Sequence, residues 1–178
     1  MITSAQEEEK YEKTWNDKRY RICSPAELCV PDFLKRNPKR GSLVDFGCGT
    51  GRATKILQDN GFNVTGVDIA ANALDADVPF VKASLWEDSF KADWAYSCDV
   101  LEHIPPEHVD AVLENMDTDN CYLHIHLKED KFGAIVGEKL HLTIQPHEWW
   151  LEKLSKIWNI TDHSTTGRTS TFYGEGRA

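Results

Sequence analysis

The chain has 178 residues, 40% of them hydrophobic, which suffices for one buried core and leaves little for a second, so a single domain over residues 1–178 is expected. A net charge of −9 argues against the basic stripe that duplex nucleic acid requires. No apolar run approaches membrane-spanning length, the opening MITSAQEEEKYEK is acidic rather than signal-like, and the odd set Cys23, Cys29, Cys48, Cys98 and Cys121 lacks C-x-x-C spacing; a cytoplasmic protein without disulfides, zinc framework or membrane partner is expected.

Glu7 to Arg19 places Tyr11 and Trp15 four apart with Glu9 and Lys13 beside them, which predicts an amphipathic N-terminal helix at about residues 5–20. Pro25 to Leu34 reads as a second helix, stopped by Asn37, Pro38 and Gly41. Ser42 to Phe46 is a short strand, and Arg52 to Asn60 carries Ala53, Ile56 and Leu57 at helical spacing. Between them, Gly47, Gly49 and Gly51 let the backbone approach a ligand without Cβ obstruction, next to the unsatisfied N–H groups of a helix start. That is a nucleotide-type pocket. Arg52 stands where the dinucleotide fingerprint needs glycine, and no Gly-Lys-Ser/Thr ending marks a phosphate-cradling loop, so both phosphate readings weaken.

Asn63 to Ile69 is a second strand containing Asp68, 21 positions after Gly47, where an acid can accept from both ribose hydroxyls. Pro79 to Leu85 and Asp93 to Val100 follow as strands three and four, the latter leading into Leu101, Glu102, His103 and Ile104. Pro105 and Pro106 open a helix with Val109, Val112, Leu113 and Met116 on one side. Cys121 to Leu127, Trp158 to Ser164 and Thr169 to Tyr173 complete the strands, the last two joined at a Thr165–Arg168 turn.

The run D-x-G-x-G-x-G from Asp45 to Gly51, with Asp68 after it and D-V-L-E-H-I from Asp99 to Ile104, resembles the motif series of class I S-adenosylmethionine-dependent methyltransferases. The resemblance implies an α/β, three-layer αβα sandwich whose seven-stranded sheet is mostly parallel with an antiparallel last strand, and S-adenosyl-L-methionine as cofactor. It implies cofactor contacts from Asp45, Gly47, Cys48, Gly49, Gly51, Asp68 and Ile69, from Ser84 and Leu85 at the adenine, and from Asp99 and Val100. Tyr20 and Arg21 would hold the methionine carboxylate beneath a capping N-terminal helix. Ser84 departs from the pattern, since many members carry Asp there. The D-V-L-E-H-I run is similar to that of many small-molecule methyltransferases and puts His103 at the methyl-transfer site.

After strand five, Gly133 and Gly137 bracket a short apolar stretch, and Leu140, Leu142 and Ile144 alternate with His141 and Thr143. Pro146 then starts a helix whose apolar side holds Trp150, Leu151, Leu154, Ile157 and Trp158, with Trp149 off that side. Because this connection leaves the carboxyl end of a strand, where open α/β sheets bind ligands, residues 130–150 are the expected substrate lid. Thr143 lies on its polar face, and Trp149 is either a packing aromatic or a wall for a planar or sugar acceptor. His124 and His126 share one face of strand five on the acceptor side. Their joint metal ligation with His141 or His147 is weighed against histidines satisfied by the lid, and no metal is expected. His141 is the candidate general base, with a structural hydrogen bond as the alternative.

No N/D-P-P-Y/F motif follows strand four and no Pro-Cys pair is present, which disfavours amine methylation of adenine or glutamine and covalent attack on cytosine. A small-molecule acceptor, with an oxygen on a metabolite or sugar as nucleophile, is the expectation that remains. Two other classes stay open: a lyase or hydrolase that cleaves S-adenosylmethionine, and a non-catalytic module that binds it.

Overall fold

The computed structural model describes residues 1–22 and 24–178. Cys23 lies outside the described residues, and Cys29, Cys48, Cys98 and Cys121 are buried free thiols. Seven strands, β1 Ser42–Phe46, β2 Asn63–Asp68, β3 Phe80–Lys82, β4 Phe90–Cys98, β5 Met116–His126, β6 Trp158–Thr165 and β7 Thr169–Arg177, form one sheet in the order β3-β2-β1-β4-β5-β7-β6. Every neighbouring pair is parallel except those made by β7, which runs antiparallel to β5 and β6. The chain order reverses between β1 and β4, so the loops leaving these two strands diverge and open a crevice at their carboxyl ends.

The helices are α1 Ser4–Trp15, α2 Pro25–Lys35, α3 Arg52–Asp59, α4 Val109–Asn115, α5 Gly133–Val136 and α6 His147–Leu154. Central strands are apolar on both faces because both are covered. On one side Phe33 of α2 and Leu57 of α3 pack with Trp94, Tyr96 and Tyr122. On the other, Leu113 of α4 and Trp150 and Leu154 of α6 pack with Phe46, Leu123 and Phe172. Among the described residues no helix is long and apolar enough to cross a membrane.

Local chemistry moves several expected boundaries. The N-terminal helix begins earlier, because Thr3 and Gln6 form a reciprocal capping box, and it stops at Trp15. Residues 16–22 follow as tight turns, with Tyr20 N–H donating to Asp17 O at 3.0 Å, so Tyr20 and Arg21 lie beyond the helix. Strand three shrinks to three residues, since Ser84 opens a turn in which its carbonyl accepts from Glu87 and Asp88 N–H. Met116 caps α4 and starts β5, five positions before the expected strand, by pairing with Phe90. The alternating stretch 140–144 joins no sheet; Leu142 and Thr143 N–H instead donate to Glu102 O at 2.8 and 2.9 Å.

Candidate active site

The crevice is built from the turn after β1. Gly47 and Cys48 N–H donate to Val67 O at 2.8 and 3.0 Å, which docks the turn onto β2. Gly47 (φ +71°) faces Val100, and a Cβ at Gly49 (φ +50°) would lie 2.9 Å from the Trp15 ring, so neither position has room for a side chain. Beneath the turn, buried Asp45 accepts from Thr54 Oγ1 of α3 at 2.6 Å, and burial pushes its carboxyl up to about 7. At the end of β2, Asp68 accepts from Gly49 N–H at 2.9 Å and from Ala70 N–H at 3.0 Å. Burial raises its pKa while these N–H donors oppose the rise.

A cavity runs from Gly47 and Asp68 past Ile69, Leu85 and Trp86 to Asp99 and His103, roofed by Tyr11 and Trp15 of α1 and by Tyr20. Trp86 is held by stacking on His108, with ring centroids 4.8 Å apart. Tyr20 packs edge-on to Trp15 and against Phe132, which joins the roof to the connection after β5. An ion pair of 3.3 Å between Lys13 and Glu138 makes a second joint.

A second cleft lies beyond Asp99, lined by His124, His126, His141 and Arg168 and, on its apolar side, by Leu28 and Tyr122. Asp99 borders both cavities and holds the left-handed φ of +62°, a conformation costly for a non-glycine residue that aims its carboxylate from the end of β4. His126 Nε2 is 3.5 Å from Asp99 Oδ1, and His124 Nδ1 is 2.9 Å from Thr171 Oγ1. Glu102 is fully buried; Oε1 accepts from His126 N–H at 2.6 Å, and its carbonyl anchors Leu142 and Thr143. Burial, reinforced by Asp99, pushes the Glu102 carboxyl well up. Burial opposes ionisation of Asp99 too, but His103, Glu102 and His126 outweigh it and hold that carboxyl low. His103 Nδ1 lies 2.7 Å from Tyr11 Oη, and burial lowers the imidazole to about 4, so it is neutral at pH 7. His141 donates from Nδ1 to Lys128 O at 2.6 Å, which leaves its Nε2 as the lone-pair nitrogen.

Residues 16–154 match the family model described as a methyltransferase domain. The chain belongs to that family. It is a class I, Rossmann-like S-adenosylmethionine-dependent methyltransferase, and S-adenosylmethionine is its cofactor. Its fold is similar to a solved protein of Pyrococcus horikoshii OT3, at 17% identity over 91% of this chain and 93% of that one, with a TM-score of 0.70. A TehB-like SAM-dependent methyltransferase from Corynebacterium glutamicum matches at 15% identity over 96% and 98% of the two chains, TM-score 0.64. Magnesium protoporphyrin IX methyltransferase from Synechocystis PCC 6803, solved with S-adenosylhomocysteine, matches at 17% over 99% and 88%, TM-score 0.62. No curated protein matches the chain.

Within this methyltransferase, Gly47, Asp68, Ile69, Leu85, Asp99, Val100, His103 and Tyr20 line the main cavity, and Cys48 and Gly49 line an adjoining recess with Tyr20 and Asp99. Other expected residues lie elsewhere. Asp45 is beneath the turn, and Gly51 caps α3 against Leu74 and Val78. Ser84 is buried at the turn after β3, with its N–H 3.3 Å from Asp88 Oδ2. The Arg21 guanidinium donates to Trp15 O, Ala73 O and Asp75 Oδ1 at 2.8–2.9 Å, so its donors clamp the segment after β2, and Arg21 lines neither the cavity nor the recess.

His124, His126 and His141, expected toward the acceptor, come together in the second cleft, whereas Thr143 and Trp149 do not line it. Thr143 is buried with its hydroxyl donating to Ile104 O at 2.7 Å, which pins the connection after β5 to the turn after β4. Trp149 packs with the core beside Trp150, under the Lys153 ammonium. His147 bonds to Ser170 and His163, outside the site. Sequence reasoning missed Tyr11, Trp15, Trp86 and Glu102. The i, i+4 pair Tyr11 and Trp15 carried a signal, an aromatic stripe on an otherwise charged helix, while Trp86 carried none.

Proposed function

We propose that the enzyme transfers the methyl group of S-adenosylmethionine to an oxygen of a small polar acceptor held in the cleft of His124, His126 and His141. The observation that carries this reading is the shared wall: Asp99 borders both the cavity at Gly47 and Asp68 and the histidine-lined cleft, so a donor in one meets a nucleophile in the other. The adenine fits among Ile69, Leu85 and Trp86, and the ribose hydroxyls donate to Asp68. The methionine end extends along Cys48, Gly49 and Tyr20, with the sulfonium facing Asp99.

An oxygen lone pair of the acceptor attacks the methyl carbon, the carbon–sulfur electron pair passes to sulfur, and S-adenosylhomocysteine leaves. Alignment supplies most of the acceleration, because the sulfonium is already an activated donor. The acceptor proton passes to the group formed by Asp99, Glu102, His103 and His141, in which His141 Nδ1 is engaged by Lys128 O and Nε2 is the position left to take a proton. A small acceptor is supported by the lid over the cleft, by the net charge of −9, and by the lack of a basic stripe. Buried free thiols fit a reducing, cytoplasmic setting.

The test is incubation with methyl-labelled S-adenosylmethionine and a panel of sugars, phenols and hydroxy acids. Acceptor-dependent S-adenosylhomocysteine with the label on oxygen is expected. Acceptor-independent breakdown to methylthioadenosine or adenosine, or label on RNA, contradicts the reading.

A further inference from the structure

Asp99, Glu102, His103 and His141 meet where the two cavities adjoin, each bringing one potential ligand atom within 4.8 Å of all the others. Three of them come from the D-x-x-E-H spacing: Asp99 directly follows β4 in a left-handed conformation, and the 3-10 turn Leu101–His103 carries Glu102 and His103 back beside it. His141 arrives from the lid, whose backbone is tied to Glu102 O through Leu142 and Thr143 N–H.

This cluster is incomplete as hydrogen bonding alone. Glu102 is 0% exposed and His103 8%, yet among the described residues His103 Nε2 has no partner and no donor reaches Glu102 Oε2, whose carboxyl meets that of Asp99 instead. Such orphaned buried atoms ask for a ligand. Among the described residues neither Asp99 nor Glu102 pairs with Lys or Arg, the nearest cationic candidate being His126 at 3.5 Å from Asp99. Both imidazoles are oriented from the Nδ1 side, His141 by donating to Lys128 O and His103 by the Tyr11 hydroxyl, which can accept from it. With His103 donating from Nδ1 to Tyr11 Oη, both rings present an Nε2 lone pair to the cluster, which is how histidines that bind metals are set by a neighbouring oxygen. Two carboxylates and two imidazoles form a mixed oxygen and nitrogen donor set whose charge matches a divalent ion.

We propose that Asp99, Glu102, His103 and His141 bind one divalent first-row transition cation, with an open position toward the cleft of His124 and His126. The site reverses the expectation from sequence, in which no metal was foreseen. Its role rests on the methyl-transfer reading: the cation takes the acceptor hydroxyl oxygen and eases loss of its proton to solvent in the cleft. His141 then serves as ligand rather than as free base.

The test uses the full chain after treatment with a chelator, titrated with Mn²⁺ and followed by electron paramagnetic resonance, and with Co²⁺ followed by its visible spectrum. One Mn²⁺ per chain and Co²⁺ bands of a mixed nitrogen and oxygen environment are expected. Glu102→Gln and His141→Asn should each weaken binding at least about 10- to 100-fold while S-adenosylhomocysteine still binds and melting stays cooperative. Absence of stoichiometric uptake by the wild type, or unchanged affinity in both variants, overturns the site. Stoichiometric cation binding by a protein that transfers no methyl group would overturn the acceptor reading and leave the cation site standing.

Discussion

Replacing Asp68 with alanine separates the cofactor assignment from a merely tight turn. The Asp68 carboxylate is buried at 8% exposure, receives Gly49 and Ala70 N–H, and borders the cavity with its remaining acceptor capacity. Two ribose hydroxyls donating to it form charge-assisted bonds, and losing them together with the brace on the turn should cost about 2–4 kcal/mol, roughly 30- to 1000-fold in affinity. Asp68→Asn should fall between wild type and Asp68→Ala, because its amide retains one carbonyl acceptor but sets an N–H₂ group against a backbone N–H. Calorimetry with S-adenosylhomocysteine reads the loss directly. A parallel titration with the analogue lacking both ribose hydroxyls isolates the sugar contacts: wild type should bind it far more weakly, and Asp68→Ala should barely distinguish the two ligands. Unchanged S-adenosylhomocysteine affinity in Asp68→Ala would refute the assigned role.

Three further outcomes follow from the same geometry. His141→Ala should lower kcat at least about tenfold with cofactor affinity nearly intact, in steady-state assays with the acceptor once found; wild-type turnover would remove His141 from the chemistry. Asp45 has a folded pKa of about 7 against 3.8 unfolded, so the folded state holds the extra proton and stability falls as pH rises from about 4 to about 7, by roughly 4 kcal/mol. Urea titrations of the cofactor-free protein across that window should show this slope flattened in Asp45→Asn, and identical profiles would contradict it. Hydrogen exchange over residues 129–143 should slow when S-adenosylhomocysteine is added, since Tyr20 and Lys13 of the roof touch Phe132 and Glu138 of the lid; equal exchange in both states would make the segment plain packing.

The strand, glycine turn and helix were legible because each depends on local chemistry, and Asp68 because a parallel strand pair fixes where the next acid falls. The early start of β5 was hidden, since Asp117, Thr118, Asp119 and Asn120 carry no apolar alternation and become a strand only through pairing with the start of β4. Arg21 had the charge for a carboxylate contact, but the carbonyls of Trp15 and Ala73 captured its guanidinium once the helix ended at Trp15. Alternation placed His141 and Thr143 on one inward face, as observed; what it could not show was that the Thr143 hydroxyl is consumed by Ile104 O. The four-residue cluster escaped for a similar reason: three members are neighbours in sequence, and the fourth joins them only through the backbone bonds of Leu142 and Thr143 to Glu102 O.

A crystal structure with S-adenosylhomocysteine bound tests the central claim most directly. The account predicts adenine between Ile69, Leu85 and Trp86, ribose on Asp68, and the sulfur beside Asp99 with an open line to the cleft of His124, His126 and His141. Binding outside that cavity, or a sulfur walled off from the cleft, would contradict it.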